Sequence, residues 1–165
     1  AAIQESEGLE ADLATTYNNI GHLYNELGQK TTALEFAEKS LKLHRKTGNR
    51  PGEATVLNNI GLIYSDTDAK KAIESYLASL AIFEEIGFKE QLGTLYGNIG
   101  AAYLDLNDPQ KAIEFNQRAV PIHRESGDTG GQATALNNIG LGELKVGRPL
   151  ESLNNFHESL VLARA

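Results

Sequence analysis

Asparagine recurs in this chain at a fixed interval, and its side chain is suited to holding the backbone of a bound peptide. The amide carries both a donor and an acceptor, so one asparagine can engage a peptide N–H and a peptide C=O together. Seven asparagines and one glycine form two adjacent columns: Asn18 and Asn19, Asn58 and Asn59, Gly97 and Asn98, and Asn137 and Asn138. Their repetition in register predicts a polar ladder that binds an extended peptide or protein segment.

Two interpretations of these columns stay open. The amides can clamp a ligand, or they can brace one helix against the next. The two interpretations are balanced for the second residue of each pair, whereas the first residue favours the clamp. Several hydrogen bonds of about 1 kcal/mol each do not reach the roughly −8 kcal/mol of micromolar binding, so apolar contacts must contribute. Leu62 and Leu141 lie near the columns, and a ligand side chain is expected to enter the gap beside Gly97.

The same surface carries threonines before the asparagine pairs and acidic residues after them. The threonines are Thr15, Thr55, Thr94 and Thr134. His22 follows the first pair, and the acidic residues are Glu26, Asp66 and Asp105. These acids fall near the C-terminal ends of the predicted helices, where the helix dipole disfavours negative charge by a few tenths of a kcal/mol. Their placement suggests a ligand that carries Lys or Arg, and the alternative is a solvated helix end.

A repeat positions these residues. The glycines that follow each asparagine pair are Gly21, Gly61, Gly100 and Gly140, so the repeat advances by 40, 39 and 40 residues. Apolar or small residues stand seven, four and one positions before this glycine in each repeat, and they share one face of an α-helix. The polar ladder lies about 160° around the same helix from that face. We call this the first helix of each repeat.

A second amphipathic helix follows each first helix, and small residues allow the two to pack closely. Its small-residue column is Ala33, Ala72, Ala112 and Ser152. Gly28 and Gly147 are expected to end first helices, and Asp108-Pro109 to begin a second one. Gly8, Gly48, Gly87 and Gly127 are expected to end second helices. Residues 1–8, with Ile3 at an apolar position, then form the tail of a preceding repeat, and the chain is expected to be a piece of a longer array.

These columns resemble the tetratricopeptide repeat, with the small glycine after isoleucine, the aromatic residue three positions later and the alanine that opens the second helix. The period of about 40 residues, against the usual 34, is similar to that of kinesin light chains, Pins/LGN adaptors and bacterial Rap-type and MalT-type regulators. The resemblance covers residues 9–165, as repeats 9–48, 49–87, 88–128 and 129–165. It implies an all-α, right-handed superhelical solenoid of antiparallel helix pairs, whose first helices line a concave groove that binds peptides or protein segments.

Composition excludes several other classes of function. The formal net charge of −7 argues against binding to nucleic acid or to an anionic membrane surface. The 165 residues contain no cysteine for a disulfide or a thiolate site and no long apolar run for a membrane span. The four histidines and the recurring serines form no catalytic or metal-binding arrangement, so neither an enzyme nor a cofactor is predicted. A cytoplasmic location is expected.

The favoured interpretation is therefore a scaffold or sensor module that binds a protein or peptide on its concave face. The alternative is a structural module that self-associates through uncapped ends or through its convex face.

Overall fold

The structure is a computed structural model that describes the backbone of residues 2–164 and the side chains of residues 9–164. Within these residues the chain forms helices and no strand. The α-helices are α1 (Ala2–Glu26), α2 (Lys30–Thr47), α3 (Arg50–Tyr64), α4 (Ala69–Glu85), α5 (Leu92–Asp105), α6 (Pro109–Ser126), α7 (Thr129–Lys145) and α8 (Pro149–Leu162). A short 3₁₀ helix, Lys89–Gln91, precedes α5.

The helix ends lie close to the predicted turn residues. Gly48 and Gly127 follow α2 and α6 with φ of 68° and 72°, a left-handed conformation that glycine adopts without steric cost. The Asp108 side chain accepts a hydrogen bond from the backbone N–H of Lys111 at the start of α6, with Pro109 in the first turn. These predictions are confirmed.

One predicted helix end is wrong. Helix α1 continues through Gly8, where the glycine spacing predicted the end of a preceding helix. Glycine in a helix interior lowers stability by only about 1 kcal/mol relative to alanine, so the residue type alone does not end a helix. The side chain of Ile3 lies outside the described residues, and the assignment of residues 1–8 to a preceding repeat stays a prediction.

Consecutive helices pack as antiparallel pairs. In the first pair, Glu10 contacts Lys46, Ala14 contacts Ser40 and Tyr24 stacks on Phe36, so positions ascend along α1 as they descend along α2. The predicted small-residue columns lie at these helix contacts and are buried: Gly21, Gly61, Gly100, Gly140, Ala33, Ala72, Ala112 and Ser152. The all-α class and the helix-pair architecture are confirmed.

The helices form two compact units, of which the first ends at Ile86 and the second begins at Gly87. Helices α1–α4 make up the first unit, and the 3₁₀ helix and α5–α8 make up the second. Within the first unit, α1 also contacts α3, and within the second, α5 also contacts α7. The first helices of each unit therefore lie side by side.

Serines that recur in one column of the second helices connect the two helices of a pair by hydrogen bonds. Each donates its hydroxyl to a backbone carbonyl of its partner helix, and the bonds are Ser40 to Ala14 at 2.7 Å, Ser79 to Ala54 at 2.8 Å and Ser159 to Ala133 at 2.8 Å. In the remaining pair the equivalent residue is the buried Ala119. The hydroxyls of these serines are bonded within the helix pairs, so the serines have a structural role.

Candidate functional site: the first-helix faces

The predicted polar ladder lies on the accessible side of the first helices. We call the surface of α1 and α3 the first-helix face of the first unit, and the surface of α5 and α7 that of the second. Exposed predicted residues are Asn19, His22, Glu26, Asp66, Asp105, Asn137 and Leu141, and half-buried ones are Asn18, Asn58, Asn59, Leu62, Gly97, Asn98 and Asn138. None of the fourteen is buried, whereas the glycine column on the opposite side of the same helices is.

In the first unit, two of the predicted asparagines bond to each other. The amide nitrogen of Asn59 on α3 donates to the side-chain oxygen of Asn18 on α1 at 2.9 Å. This bond braces the two first helices. It uses the acceptor of Asn18 and one donor of Asn59, so the Asn59 oxygen and the Asn18 amide nitrogen stay chemically suited to a peptide N–H and C=O. A bracing bond and a ligand contact are therefore compatible in one pair.

In the second unit, the equivalent pairing is replaced. Gly97 stands at the position of Asn18 and has no side chain to accept a bond. Asn138, at the position of Asn59, instead donates to the Asn116 side-chain oxygen at 3.4 Å. Asn116 is fully buried on α6, and its amide nitrogen donates to the Ala112 carbonyl at 2.8 Å. The side chain of Asn138 on α7 is thus bonded to α6, the second helix of the preceding pair.

Asn116 was missed in the sequence analysis. It lies four residues after the small residue that opens the second helix, a position occupied elsewhere by Ala37, Tyr76 and Phe156. Its amide lies against Gly100, just as the Tyr76 ring lies against Gly61. The sequence shows it as a polar residue in a column that is otherwise alanine or aromatic. Its role as an acceptor for Asn138 follows only once Gly97 is seen to lack the side chain that Asn18 provides in the first unit.

A depression opens on the first-helix face of the second unit, where the asparagine brace is missing. Its volume is about 250 Å³, and its lining residues are Thr94, Gly97, Asn98, Ala101, His123, Gly131, Thr134, Ala135 and Asn138. In the first unit, a depression of about 20 Å³ lies nearer the C-terminal ends of the first helices and is lined by His22, Asn25, Asn59, Leu62 and Ile63. The gap that the sequence predicted at Gly97 is present.

Two equivalent histidines differ in their partners. The imidazole of His123, at the base of the depression, has its Nδ1 atom 2.8 Å from a carboxylate oxygen of Asp128. The other oxygen of Asp128 accepts the backbone N–H of Gly131 at 2.8 Å. That backbone bond is the largest influence holding the pKa of Asp128 below its ordinary value, and His123 adds to it.

His44, the equivalent residue in the first unit, is also buried, but its Nδ1 atom has no hydrogen-bond partner. Asn49 stands where Asp128 stands in the second unit, and its side-chain oxygen accepts the backbone N–H of Gly52. Burial lowers the pKa of His44, and the negative charge of Glu53 opposes that shift only in part. His44 and His123 are both buried between helices.

The predicted acidic residues have partners of different kinds. Asp66 lies in the turn after α3, where the ammonium group of Lys30 is 2.8 Å from its carboxylate and holds its pKa below the ordinary value. Glu26 lies 3.7 Å from His22 one turn earlier in α1. Asp105 is exposed at the last position of α5. The negative charge of Asp66 is therefore balanced in part by the chain itself.

A further acidic residue, Glu53, is buried and was not singled out from the sequence. Arg45 and Arg50 contact its two carboxylate oxygens at 2.8 Å and 2.7 Å. Burial alone would raise the pKa of Glu53, but the bonds from the two arginines outweigh burial and lower it. This cluster ties α2 to α3 and has a structural role.

Two kinds of site are not found among the described residues. Among the side chains of residues 9–164, no group of three or more His, Cys, Asp or Glu could hold a metal ion. None of the helices described within residues 2–164 is long and apolar enough to cross a membrane.

Comparison with known proteins identifies the repeats. The family model described as tetratricopeptide repeat matches residues 12–85 and 66–125. The outer dynein arm-docking complex subunit 4 of Mus musculus is 26% identical over 150 residues, which cover 90% of this chain and 23% of that protein. The Danio rerio protein of the same name is 27% identical over 153 residues, covering 92% of this chain and 31% of that protein. This chain therefore spans less than a third of the length of these relatives.

Solved structures share the fold at lower identity. A structure described as BtubC (BKLC) from P. vanneervenii matches with a TM-score of 0.84 and 22% identity, over 92% of this chain and 63% of that one. The apo form of RapI matches with a TM-score of 0.86 and 20% identity, over 94% of this chain and 44% of that one. MamA matches with a TM-score of 0.73 and 20% identity, over 92% of this chain and 78% of that one.

Proposed function

Because the chain belongs to the tetratricopeptide repeat family, a family of protein–protein interaction scaffolds, we propose that it binds extended segments of partner proteins on its first-helix faces. The observation that carries this proposal is the accessible amide ladder on the side opposite the buried glycine column. Asn19 and Asn137 are exposed, and the Asn18–Asn59 bond engages neither the amide nitrogen of Asn18 nor the side-chain oxygen of Asn59. These groups match the alternating C=O and N–H of an extended backbone.

The charge of the face supports a ligand segment with Lys or Arg. Glu26 and Asp105 are exposed at the ends of α1 and α5, and Asp66 already holds the ammonium group of Lys30. A ligand lysine would be bound in the same way. The relatives named for the outer dynein arm-docking complex are consistent with a role in assembling proteins, and we place this chain among adaptors rather than enzymes.

Peptide arrays test this proposal. An Asn19→Ala, Asn137→Ala variant removes exposed amides from the first-helix faces and breaks no bond that braces the helices. The matched control, Gln117→Ala with Asn154→Ala, removes exposed amides from the second helices α6 and α8. Basic, neutral and acidic peptides should be compared at low and high salt. We expect the face variant to lose peptides that the native chain and the control retain, and basic peptides to weaken most in salt. Equal binding by all three proteins would contradict the proposal.

A second candidate function, self-association, is favoured by exposed apolar residues on α8. Leu153 and Leu160 are 51% and 48% exposed, whereas their equivalents on α4, Ile73 and Leu80, are each 6% exposed. Burying such a face against a second copy would be favourable. Light scattering over a dilution series tests this function, and a monomer at every concentration would contradict it.

A further inference from the structure

We propose that the depression beside Gly97 binds one apolar, uncharged side chain of the bound segment and so selects among ligands. This inference rests on the proposed function, because it assumes that a protein segment lies on the first-helix face of the second unit. The depression measures about 250 Å³ and lies between α5 and α7, with His123 of α6 among its lining residues.

The two units provide an internal comparison for this site. In the first unit, the bond between Asn59 and Asn18 spans the space between the first helices. In the second, Gly97 removes one partner, and Asn138 bonds to the buried Asn116 instead. Gly97 leaves space beside α7, where the lining residue Ala135 also stands in place of the larger Val56 of the first unit, and Asn116 supplies the acceptor that Asn138 would otherwise lack. The opening is therefore built into the local hydrogen bonding of α5, α6 and α7.

The lining determines the class of side chain. Ala101 and Ala135 contribute methyl groups, and the hydroxyl of Thr134 bonds to the backbone carbonyl of Gly130 at 3.0 Å. His123 is engaged by Asp128. The lining contains no Lys, Arg, Asp or Glu, and the carboxylate of Asp128 next to it is already bonded to His123 and to the backbone N–H of Gly131. A charged ligand side chain would therefore be desolvated there without an unengaged counter-charge, which is unfavourable. One water molecule occupies about 30 Å³ in the liquid, so the depression has room for several. An apolar side chain would displace this water, and its burial would favour binding.

The site can be filled without disturbing the fold. A Cβ atom built at Gly97 meets no heavy atom within 4 Å. A larger residue also has a higher helix propensity than glycine. The variant Gly97→Asn restores the residue type of the first unit at this position and occupies the opening. Gly130→Ala is a matched control, because its Cβ meets only Asp128 at an ordinary 3.6 Å and Gly130 lies outside the depression.

A binding cycle tests the inference. Short peptides that bind the native chain on an array are scanned with Ala, Leu, Asp and Lys at every position, and affinities are measured for the native chain, Gly97→Asn and Gly130→Ala. For the native chain and the control, we expect one ligand position at which Leu binds at least about tenfold more tightly than Ala. In Gly97→Asn, the preference for Leu should shrink to about twofold or less, because the space is occupied.

Two results would overturn the inference while leaving the proposed function intact. The first is that Gly97→Asn retains the full preference for Leu. The second is that no position of a peptide bound to the native chain prefers Leu over Ala, Asp and Lys. A native chain that binds no array peptide would overturn the proposed function and this inference together. Circular dichroism of Gly97→Asn establishes that the variant is folded.

Discussion

The two equivalent histidines allow a reciprocal exchange of helix caps. His123 bonds to the capping residue Asp128, whereas the buried Nδ1 atom of His44 has no partner beside the capping residue Asn49. We expect Asn49→Asp to supply an acceptor to His44 and raise the free energy of unfolding. Asp128→Asn should remove the acceptor from His123 and lower it.

The size of the effect follows from the capping geometry. Both caps accept a backbone N–H, from Gly52 at 3.0 Å and from Gly131 at 2.8 Å, and Asn and Asp cap helices about equally well. The exchange therefore keeps the backbone cap and changes the group beside the histidine, together with the charge at the helix N-terminus. A buried donor or acceptor without a partner costs about 1–3 kcal/mol, and solvent beside the half-exposed Asp128 reduces the effect. We expect changes of about 1 kcal/mol, upward for Asn49→Asp and downward for Asp128→Asn.

Urea unfolding followed by circular dichroism at pH 7 measures these changes. A new carboxylate at a helix N-terminus is itself worth about 0.3–1 kcal/mol, so Asn49→Asp must also be made in a His44→Phe background. Phenylalanine is the residue that the chain carries at the equivalent position, Phe83. The cap substitution should stabilise the native background more than the His44→Phe background. Equal effects in both backgrounds would refute the proposed bond to His44.

Three further predictions use the same unfolding assay. Because burial lowers the pKa of His44, the unfolded chain binds more protons, and stability should fall as the pH drops below about 6.5; a flat profile to pH 5 would contradict this. Ser79→Ala should lose about 1 kcal/mol by removing a buried hydrogen bond between α4 and α3, whereas an unchanged midpoint would show that this bond contributes no stability. Gly61→Ala should lose more than about 2 kcal/mol because its Cβ would lie 2.3 Å from a buried tyrosine ring, whereas Gly97→Ala should gain up to about 1 kcal/mol.

The helix pairs could be predicted because the repeat displays its packing in the sequence. A glycine recurring every 39 or 40 residues, with apolar residues at helical spacing around it, identifies the contact between two helices without any further information. Gly48 and Gly127 end helices because they themselves adopt the left-handed conformation that closes a helix, with φ of 68° and 72°. Gly8 follows the same spacing but lies inside α1, so spacing alone does not determine where a helix ends.

The partners of the polar groups could not be predicted, because they depend on residues in neighbouring helices. The sequence predicted that Asn18 and Asn59 share one accessible stripe. Whether their side chains bond depends on the distance between α1 and α3, which the sequence does not give. Asn138 has the same local sequence as Asn59, yet it bonds to Asn116 because Gly97 lies opposite. Similarly, His44 and His123 occupy one column but differ because the residue five positions later is Asn49 in one unit and Asp128 in the other.

The central claim is that partner segments lie on the first-helix faces, and mapping a bound peptide by NMR tests it most directly. A peptide selected on the array is titrated into the isotopically labelled chain while backbone amide shifts are followed. We predict the largest shifts in α1, α3, α5 and α7, around Asn19, Asn59 and Asn137, with small shifts on the outer sides of the second helices. Shifts confined to α2, α4, α6 and α8 would contradict the claim and would place the binding surface on the opposite side of the helix pairs.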